Sequence, residues 1–452
     1  MKRIETDTLI LGAGWSGLIA ADLLSQKRAG VVMLEKEDEI GGLAKTFSLN
    51  GFKFDAGGHG LFIKRKENLS YLETITNGNE LINLRRKVKV LFNNRYIDYP
   101  PNITSLFKIN KKYIFSILYD LLKFKKIVKN NNFEQWVKSS YGECLYNIYF
   151  KDYSEKVWGK PCNELPANWA DKRIGNDNLS KLFKDVFIKV GEQNNNSNLF
   201  TYPKQGIGFL PKLLGNKIII NGCKVYKNVL LKQFSIEDNR IVSLIFTSGG
   251  YSFEVLFKRI ISSIPIVELI KLFPGGLISE LHESLKAIKY RNLIIVSFII
   301  NKKLATNWHW CYFPSKEILF SRVHEPKFWS ADMAPDDNKT LLCTEIFCDY
   351  EDKWWLAKDE DIFKHIENSA KFTKLLNNKD IIAGTSVKRI EYAYPLYYKG
   401  FENPLNKIKD SLKTFKNIYL IGRSGAHAYF DMEECLENVK VTIDFIFNNY
   451  DG

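Results

Sequence analysis

A turn of three glycines between two short apolar runs constrains this chain more than any other feature. Thr8-Leu9-Ile10-Leu11 reads as a buried strand, Gly12-Ala13-Gly14-Trp15-Ser16-Gly17 as a tight turn, Leu18 to Leu24 as a helix, and Val31-Val32-Met33-Leu34 as a second strand. Strand, turn, helix and strand in that order make one βαβ unit. The glycines have separate roles. Gly12 makes the turn, Gly14 lets backbone approach a pyrophosphate, and Gly17 lets helix and strand pack closely. Trp15 and Ser16 then open a helix whose unpaired N–H groups and partial positive charge suit phosphate. Glu35 follows the second strand near the expected spacing of about 20 residues, where an acid accepts hydrogen bonds from a ribose, with Lys36 beside it. The turn therefore predicts a Rossmann-like, doubly wound α/β domain that binds a dinucleotide.

With 452 residues and 52.4 kDa, the chain is too long for one ordinary core, and two or three domains are expected. Hydrophobic residues at 45% against charged residues at 26% exclude a disordered chain. The apolar run Leu293 to Ile300 has the length of a buried strand and falls well short of the roughly 18 residues a bilayer span needs. Met1 to Asp7 runs straight into a strand pattern with no secretory signal, so a cytoplasmic protein is expected. Seven scattered cysteines without a Cys-x-x-Cys pair indicate neither a disulfide framework nor a metal site. A net charge of +14 suits an anionic partner. No zinc-finger spacing or RNA-binding aromatic motif accompanies it, which argues against nucleic acid.

Residues 100 to 195 carry helical periodicity, β-branched runs return from about 217 to 265, and strands dominate 290 to 390. The tail reads as a strand, Asn417 to Gly422, and then a helix from about Glu433 to Asn448. The expected fold has three parts. Residues 1–95, 200–268 and 405–452 form a discontinuous cofactor domain, 96–199 a mainly helical insertion, and 269–404 an antiparallel sheet that binds substrate. Seven lysines over 108 to 129 surround Tyr113 to Tyr119. An ordinary domain helix with a solvated lysine face is the preferred reading, and peripheral contact with anionic lipid is the alternative.

Beyond the glycine turn the chain resembles a flavoprotein superfamily that includes amine oxidases, protoporphyrinogen oxidase, phytoene desaturases and UDP-galactopyranose mutase. The resemblance rests on Glu39-Ile40-Gly41-Gly42-Leu43-Ala44-Lys45-Thr46, on Asp55-Ala56-Gly57-Gly58-His59, on Ile261-Ser262-Ser263-Ile264-Pro265 and on Gly422-Arg423. It implies FAD as cofactor. Gly41, Gly42 and Leu43 would lie along its ribityl chain and pyrophosphate, Gly57, Gly58 and His59 beside its ring, and Arg423, Asp431 and Met432 near its pyrimidine edge and ribityl hydroxyls, with Asp431 equally readable as only the N-cap of the helix that follows.

Three stretches are most similar to the mutase: Tyr153-Ser154-Glu155-Lys156-Val157-Trp158-Gly159 with the sequence through to Arg173, Phe320 to Trp329, and Gly422 to Met432. They imply that Arg173 and Arg322 clamp a diphosphate and that Tyr429 contacts substrate phosphate; Trp158, Trp308, Trp310 and Tyr312 are candidates to stack on a nucleotide base, although aromatics at strand spacing are more often core. Tyr394 joins the substrate residues through Ala393-Tyr394-Pro395-Leu396-Tyr397. That stretch and Tyr202 to Gly208 also resemble oxidase-like members. His427 stands where the mutases usually have tyrosine.

The implied activity is a pyranose–furanose ring rearrangement of a nucleoside diphosphate sugar on reduced flavin, in polysaccharide biosynthesis, with His59, Arg173 and Arg322 in catalytic roles. An external reductant such as NAD(P)H is compatible with this. The alternative is an oxidoreductase of the amine oxidase, protoporphyrinogen oxidase or desaturase type that passes hydride from substrate to flavin.

Overall fold

The computed structural model describes residues 1–76, 78–99, 111–122, 132–167 and 199–450. The expected βαβ unit is present as strand Lys2–Leu11, helix Trp15–Gln26 and strand Val31–Leu34, the two strands parallel. It lies at the centre of a seven-stranded sheet. In order across the sheet run Leu230–Glu237, Arg240–Ser248, Tyr251–Ser262, Lys2–Leu11, Val31–Leu34 and Lys224–Tyr226, and Ile418–Leu420 pairs with the end of Tyr251–Ser262. The central pairings are parallel, and the Leu230–Glu237 side is an antiparallel extension. Lys217 to Ile220, expected as β structure, closes the helix Phe209–Ile220, because Leu210, Leu214 and Ile218 recur at helical spacing and are fully buried.

Both faces of this sheet are covered. Leu18, Ile19, Leu210, Leu214, Leu436 and Val439 pack on one side, and Leu9, Leu11, Phe246, Ile260, Ile266 and Ile408 on the other. Such two-sided burial explains why Leu9-Ile10-Leu11 reads as a continuous apolar run rather than an alternating one.

The second seven-stranded sheet runs Ile382–Pro395, Tyr290–Ile300, Thr340–Cys348, Arg322–His324, Trp310–Tyr312, Val88–Phe92 and Arg95–Asp98. It is antiparallel except where Trp310–Tyr312 meets Val88–Phe92. That pairing draws the hairpin at 88–98 into this sheet. Alternation sorts the faces. Ile294, Val296, Phe298, Leu342 and Ile346 turn to a core sealed by Ile362, Ile366 and Ala370 of helix Asp359–Phe372. Leu293, Ile295, Cys343 and Phe347 turn to another core, shared with the helices around Phe133 to Trp158.

Within the lysine-rich segment, Lys111–Leu122 is helical, and the rest of 108–129 lies outside the described residues. Helix Met432–Tyr450 matches the expected C-terminal helix. Six of the seven cysteines are buried, Cys144 is half-buried, and none is bridged. Among the described residues no helix is long and apolar enough to cross a membrane, and no cluster of His, Cys, Asp and Glu can hold a metal ion.

Candidate active site

A cleft of about 1110 Å³ begins at the glycine turn and ends against the second sheet. Its first half is built from backbone. Gly12 has φ +92°, and Ser263, at the end of the neighbouring strand, braces the turn by donating from Oγ to Leu11 O at 2.9 Å and Gly12 O at 3.2 Å. A Cβ on Gly17 would stand 2.0 Å from Gly12 O, so the helix approaches the strand as closely as only glycine permits. The Gly41-Gly42 loop is fastened to the turn by Gly41 N donating to Ala13 O at 2.8 Å, and the backbones of Gly14 and Gly42 face each other. Glu35 accepts from Ala13 N at 2.7 Å and Glu37 N at 3.0 Å. Each of its oxygens keeps a further lone pair for a ribose hydroxyl.

These residues fit a dinucleotide. Helix Trp15–Gln26 has no side-chain cap and no acid in its first turn, which leaves its N–H groups and positive end open toward the cleft. Trp15 donates from Nε1 to Met432 O at 3.0 Å, tying this helix to the start of Met432–Tyr450. Gly422, at φ +71°, packs so closely on Ser16 that a Cβ would lie 2.3 Å from its Oγ. Lys36 and Leu43 also line the cleft, Lys36 with its ammonium 3.6 Å from Glu391. Gly41 supports the loop from outside the lining. Asp431 lines the cleft but is engaged in a capping box: Glu434 N donates to its Oδ1 at 2.8 Å while Asp431 N donates to Glu434 Oε2 at 2.9 Å.

The second half is built from side chains of one sheet row. Register sets Tyr312 opposite Arg322 and Arg322 opposite Glu345. Arg322 forks onto Glu345, Nε to Oε1 at 2.8 Å and Nη2 to Oε2 at 2.5 Å. Burial pushes the Glu345 carboxyl up, but Arg322 and then His324 outweigh it and hold it at about 2. The same Oε1 accepts from Gly58 N at 3.1 Å.

The Gly57-Gly58-His59 turn is anchored from its other end by buried Asp55. Asp55 accepts from Tyr202 Oη at 2.5 Å, Thr46 Oγ1 at 2.6 Å and Ile207 N at 3.1 Å, so the Asp55 and Tyr202 to Gly208 stretches meet. His59 Nδ1 lies 2.9 Å from Gly57 O. A carbonyl only accepts, so Nδ1 carries the proton and the neutral ring leaves Nε2 as an acceptor. Burial moves its pKa down to about 4.

Arg423 donates from Nε to Phe430 O at 2.7 Å and from Nη1 to Ala393 O at 3.2 Å. Its guanidinium lies 4.9 Å from the Tyr394 ring centre and 5.4 Å from that of Tyr429. Those two rings stack at 5.6 Å and 17°. The structure thus gathers His59, Tyr312, Arg322, Tyr394, Arg423 and Tyr429 on one cleft.

Two of the four candidate stacking residues lie in cores, the more frequent place for such aromatics. Trp158 is 3% exposed and sits edge-on behind Tyr394 and Tyr429, outside the lining. Trp308 is 4% exposed and stacks on Tyr96 in the sheet core. Both are large apolar rings beside a site motif, and each contributes more by filling core volume. Trp310 does line the cleft. Arg173 lies outside the described residues. Glu345 is a site residue that the motifs do not reveal. Its signal in the sequence is a lone carboxylate in Leu341-Leu342-Cys343-Thr344-Glu345-Ile346-Phe347, an otherwise uncharged strand.

Residues 10–71 match the family model of the NAD(P)-binding Rossmann-like domain. A probable UDP-galactopyranose mutase of Klebsiella pneumoniae is 25% identical over 250 residues, covering 53% of this chain and 59% of that protein. A chloroplastic prolycopene isomerase of Daucus carota is also 25% identical, over 57% of this chain and 46% of its own length. The matched stretch spans about half the length of these curated relatives. In fold, the chain is similar to reduced UDP-galactopyranose mutase, with a TM-score of 0.85 at 21% identity over 99% of this chain and 95% of the other. A putative protoporphyrinogen oxidase from Exiguobacterium sp. 255-15 gives 0.74 at 15%, over 98% of both chains. Glycine turn, cleft and comparisons agree on a Rossmann-like dinucleotide-binding domain in a chain whose fold is similar to that of UDP-galactopyranose mutase and of a putative protoporphyrinogen oxidase.

Proposed function

We propose that the chain binds FAD and rearranges the ring of a nucleotide-activated sugar, in the manner of a pyranose–furanose mutase. The carrying observation is the single cleft that joins the glycine turn to Arg322 and Arg423. At about 1110 Å³ it exceeds the roughly 300–1,000 Å³ of a pocket for one drug-sized ligand. Its lining, which runs from the glycine turn to Arg322 and Arg423, supports a dinucleotide with a second molecule beyond it.

The residues suit an anionic second molecule. Each arginine is anchored through two nitrogens and keeps a third, Nη1 of Arg322 and Nη2 of Arg423, with donors to spare. Planar guanidinium held in this way binds diphosphate with little further loss of side-chain freedom. Tyr312, Tyr394 and Tyr429 add phenolic donors and ring faces for hydroxyls and a sugar or base. His59 offers Nε2 to a hydroxyl or N–H in the cleft. Bound and reduced, FAD supplies an electron-rich centre for the rearrangement without net redox change. Arg173 belongs to the same proposal through the mutase-like stretch that ends on it.

Calorimetric titration of the dithionite-reduced holoprotein with UDP tests this reading. Saturable binding is expected, weakened at least tenfold in Arg322→Ala. A reduced protein that binds no nucleoside diphosphate, and consumes oxygen steadily with an amine or polyene, overturns it in favour of a hydride-transferring oxidoreductase.

A further inference from the structure

One buried carboxylate joins the sheet row of the cleft to the Gly57-Gly58-His59 turn. Glu345 is 0% exposed. Its Oε1 receives Gly58 N at 3.1 Å and Arg322 Nε at 2.8 Å, and its Oε2 receives Arg322 Nη2 at 2.5 Å. The turn it holds has no side chains between itself and this pair. A Cβ on Gly57 would lie 3.7 Å from both Arg322 Nη2 and Glu345 Oε2, and one on Gly58 would lie 3.9 Å from Arg322 Cζ. The pair therefore stands just beyond the space that side chains on this turn would fill, and Glu345 bridges the gap through Gly58 N.

We propose that Glu345 is a positioning residue that couples Arg322, at the substrate end, to the Gly57-Gly58-His59 turn at the cofactor end. The proposal rests on the reading above in assigning Arg322 to an anion. The physical basis is a shared acceptor. Glu345 Oε1 serves Arg322 and Gly58 at once, so any reorientation of the guanidinium toward an incoming anion moves the oxygen that holds Gly58 N–H. His59, bonded to Gly57 O, moves with the turn. Asp55 fixes the turn from behind, which confines the movement to the residues nearest the cleft. The bridge requires both the charge and the full reach of glutamate; aspartate keeps the charge but is one methylene too short to serve both partners.

Amide hydrogen exchange of the FAD-loaded protein over residues 56–62, followed by mass spectrometry, tests this without any substrate. A hydrogen bond to a charged acceptor protects an amide by about tenfold or more. Glu345→Asp is expected to accelerate exchange at Gly58 about tenfold while FAD content and the flavin spectrum show an intact fold. Arg322→Lys, which loses the fork but not the charge, is expected to accelerate it by a similar factor, and the double variant by no more than either alone.

Adding UDP to the wild type is expected to change exchange at 57–59, and to leave it unchanged in Glu345→Asp. Unaltered exchange at Gly58 in Arg322→Lys reduces Glu345 to a local ion-pair partner and overturns the proposal, whatever UDP does. A wild type that binds no UDP while Arg322→Lys still loosens the turn overturns the functional reading alone. Should Glu345→Asp fail to retain FAD, the Arg322→Lys arm decides by itself.

Discussion

The two halves of the cleft are made by different means. The glycine half, residues 12–17 with 41–42 and 422, is shaped by backbone that side chains would obstruct. The sheet half, Tyr312, Arg322 and Glu345, is a row of side chains aligned by strand register. One depends on what is absent from the chain and the other on what lies opposite, and the two therefore fail differently when altered.

The largest expected effect lies in the sheet half. Replacing Glu345 with leucine leaves the Arg322 charge buried without a partner, and breaking such a pair costs about 3–5 kcal/mol. Urea unfolding should show that loss, and should show most of it restored in the double variant Arg322→Met with Glu345→Leu, which buries no charge. A double variant no more stable than Glu345→Leu would mean that side-chain packing, and not charge, dominates the row.

Next comes the glycine half. Gly17→Ala sets a Cβ 2.0 Å from Gly12 O, and relieving such overpacking costs about 1–3 kcal/mol. The helix must move away from the strand, so the variant should emerge from gel filtration without its flavin, whereas Glu345→Leu should keep it. Retention of FAD by Gly17→Ala would show that the close approach is not required for the cofactor.

A buried histidine outside the cleft lining, packed on Tyr290 and Tyr397, carries a pH dependence. His427 is 2% exposed, neither ring nitrogen has a hydrogen-bond partner among the described residues, and burial lowers its pKa to about 3. The folded state thus favours the neutral ring, while the unfolded chain takes up a proton near pH 6.5. Its contribution is complete above pH 6.5 and is lost as pH falls toward 3, by about 1.4 kcal/mol per unit. His427→Asn, which tolerates the φ of +47° at this position, should flatten the stability profile between pH 6 and 4 by about that slope. Parallel wild-type and variant profiles would contradict the assignment.

The smallest effect is at Asp431. As a helix cap its loss in Asp431→Ala costs about 1 kcal/mol, and serine should recover most of it. If Asp431 also holds FAD, the alanine variant should bind flavin more weakly and serine should not restore the affinity.

The same difference explains what is legible in the sequence. Gly12, Gly14, Gly17 and Glu35 act within one βαβ unit, so their spacing along the chain is their spacing in the fold. Arg322 is visible through its motif, but its partner Glu345 is visible only when the strands Arg322–His324 and Thr340–Cys348 are set in register. Trp158 and Trp308 leave two readings open in the sequence for a related reason. An aromatic beside a motif reads the same whether its ring faces a ligand or a core, and the face is chosen by tertiary packing. The composition of Lys217 to Ile220 points to β structure, and the period of Leu210, Leu214 and Ile218 decides for helix.

The most direct test of the proposed mutase activity is turnover under anaerobic conditions. Dithionite-reduced, FAD-loaded protein is incubated with UDP-galactopyranose and the sugar is followed by proton NMR. The furanose isomer is expected to appear, with the flavin still reduced at the end and no consumption of reductant. An unchanged sugar with the flavin fully reduced, or a product formed only in step with flavin oxidation, would contradict it.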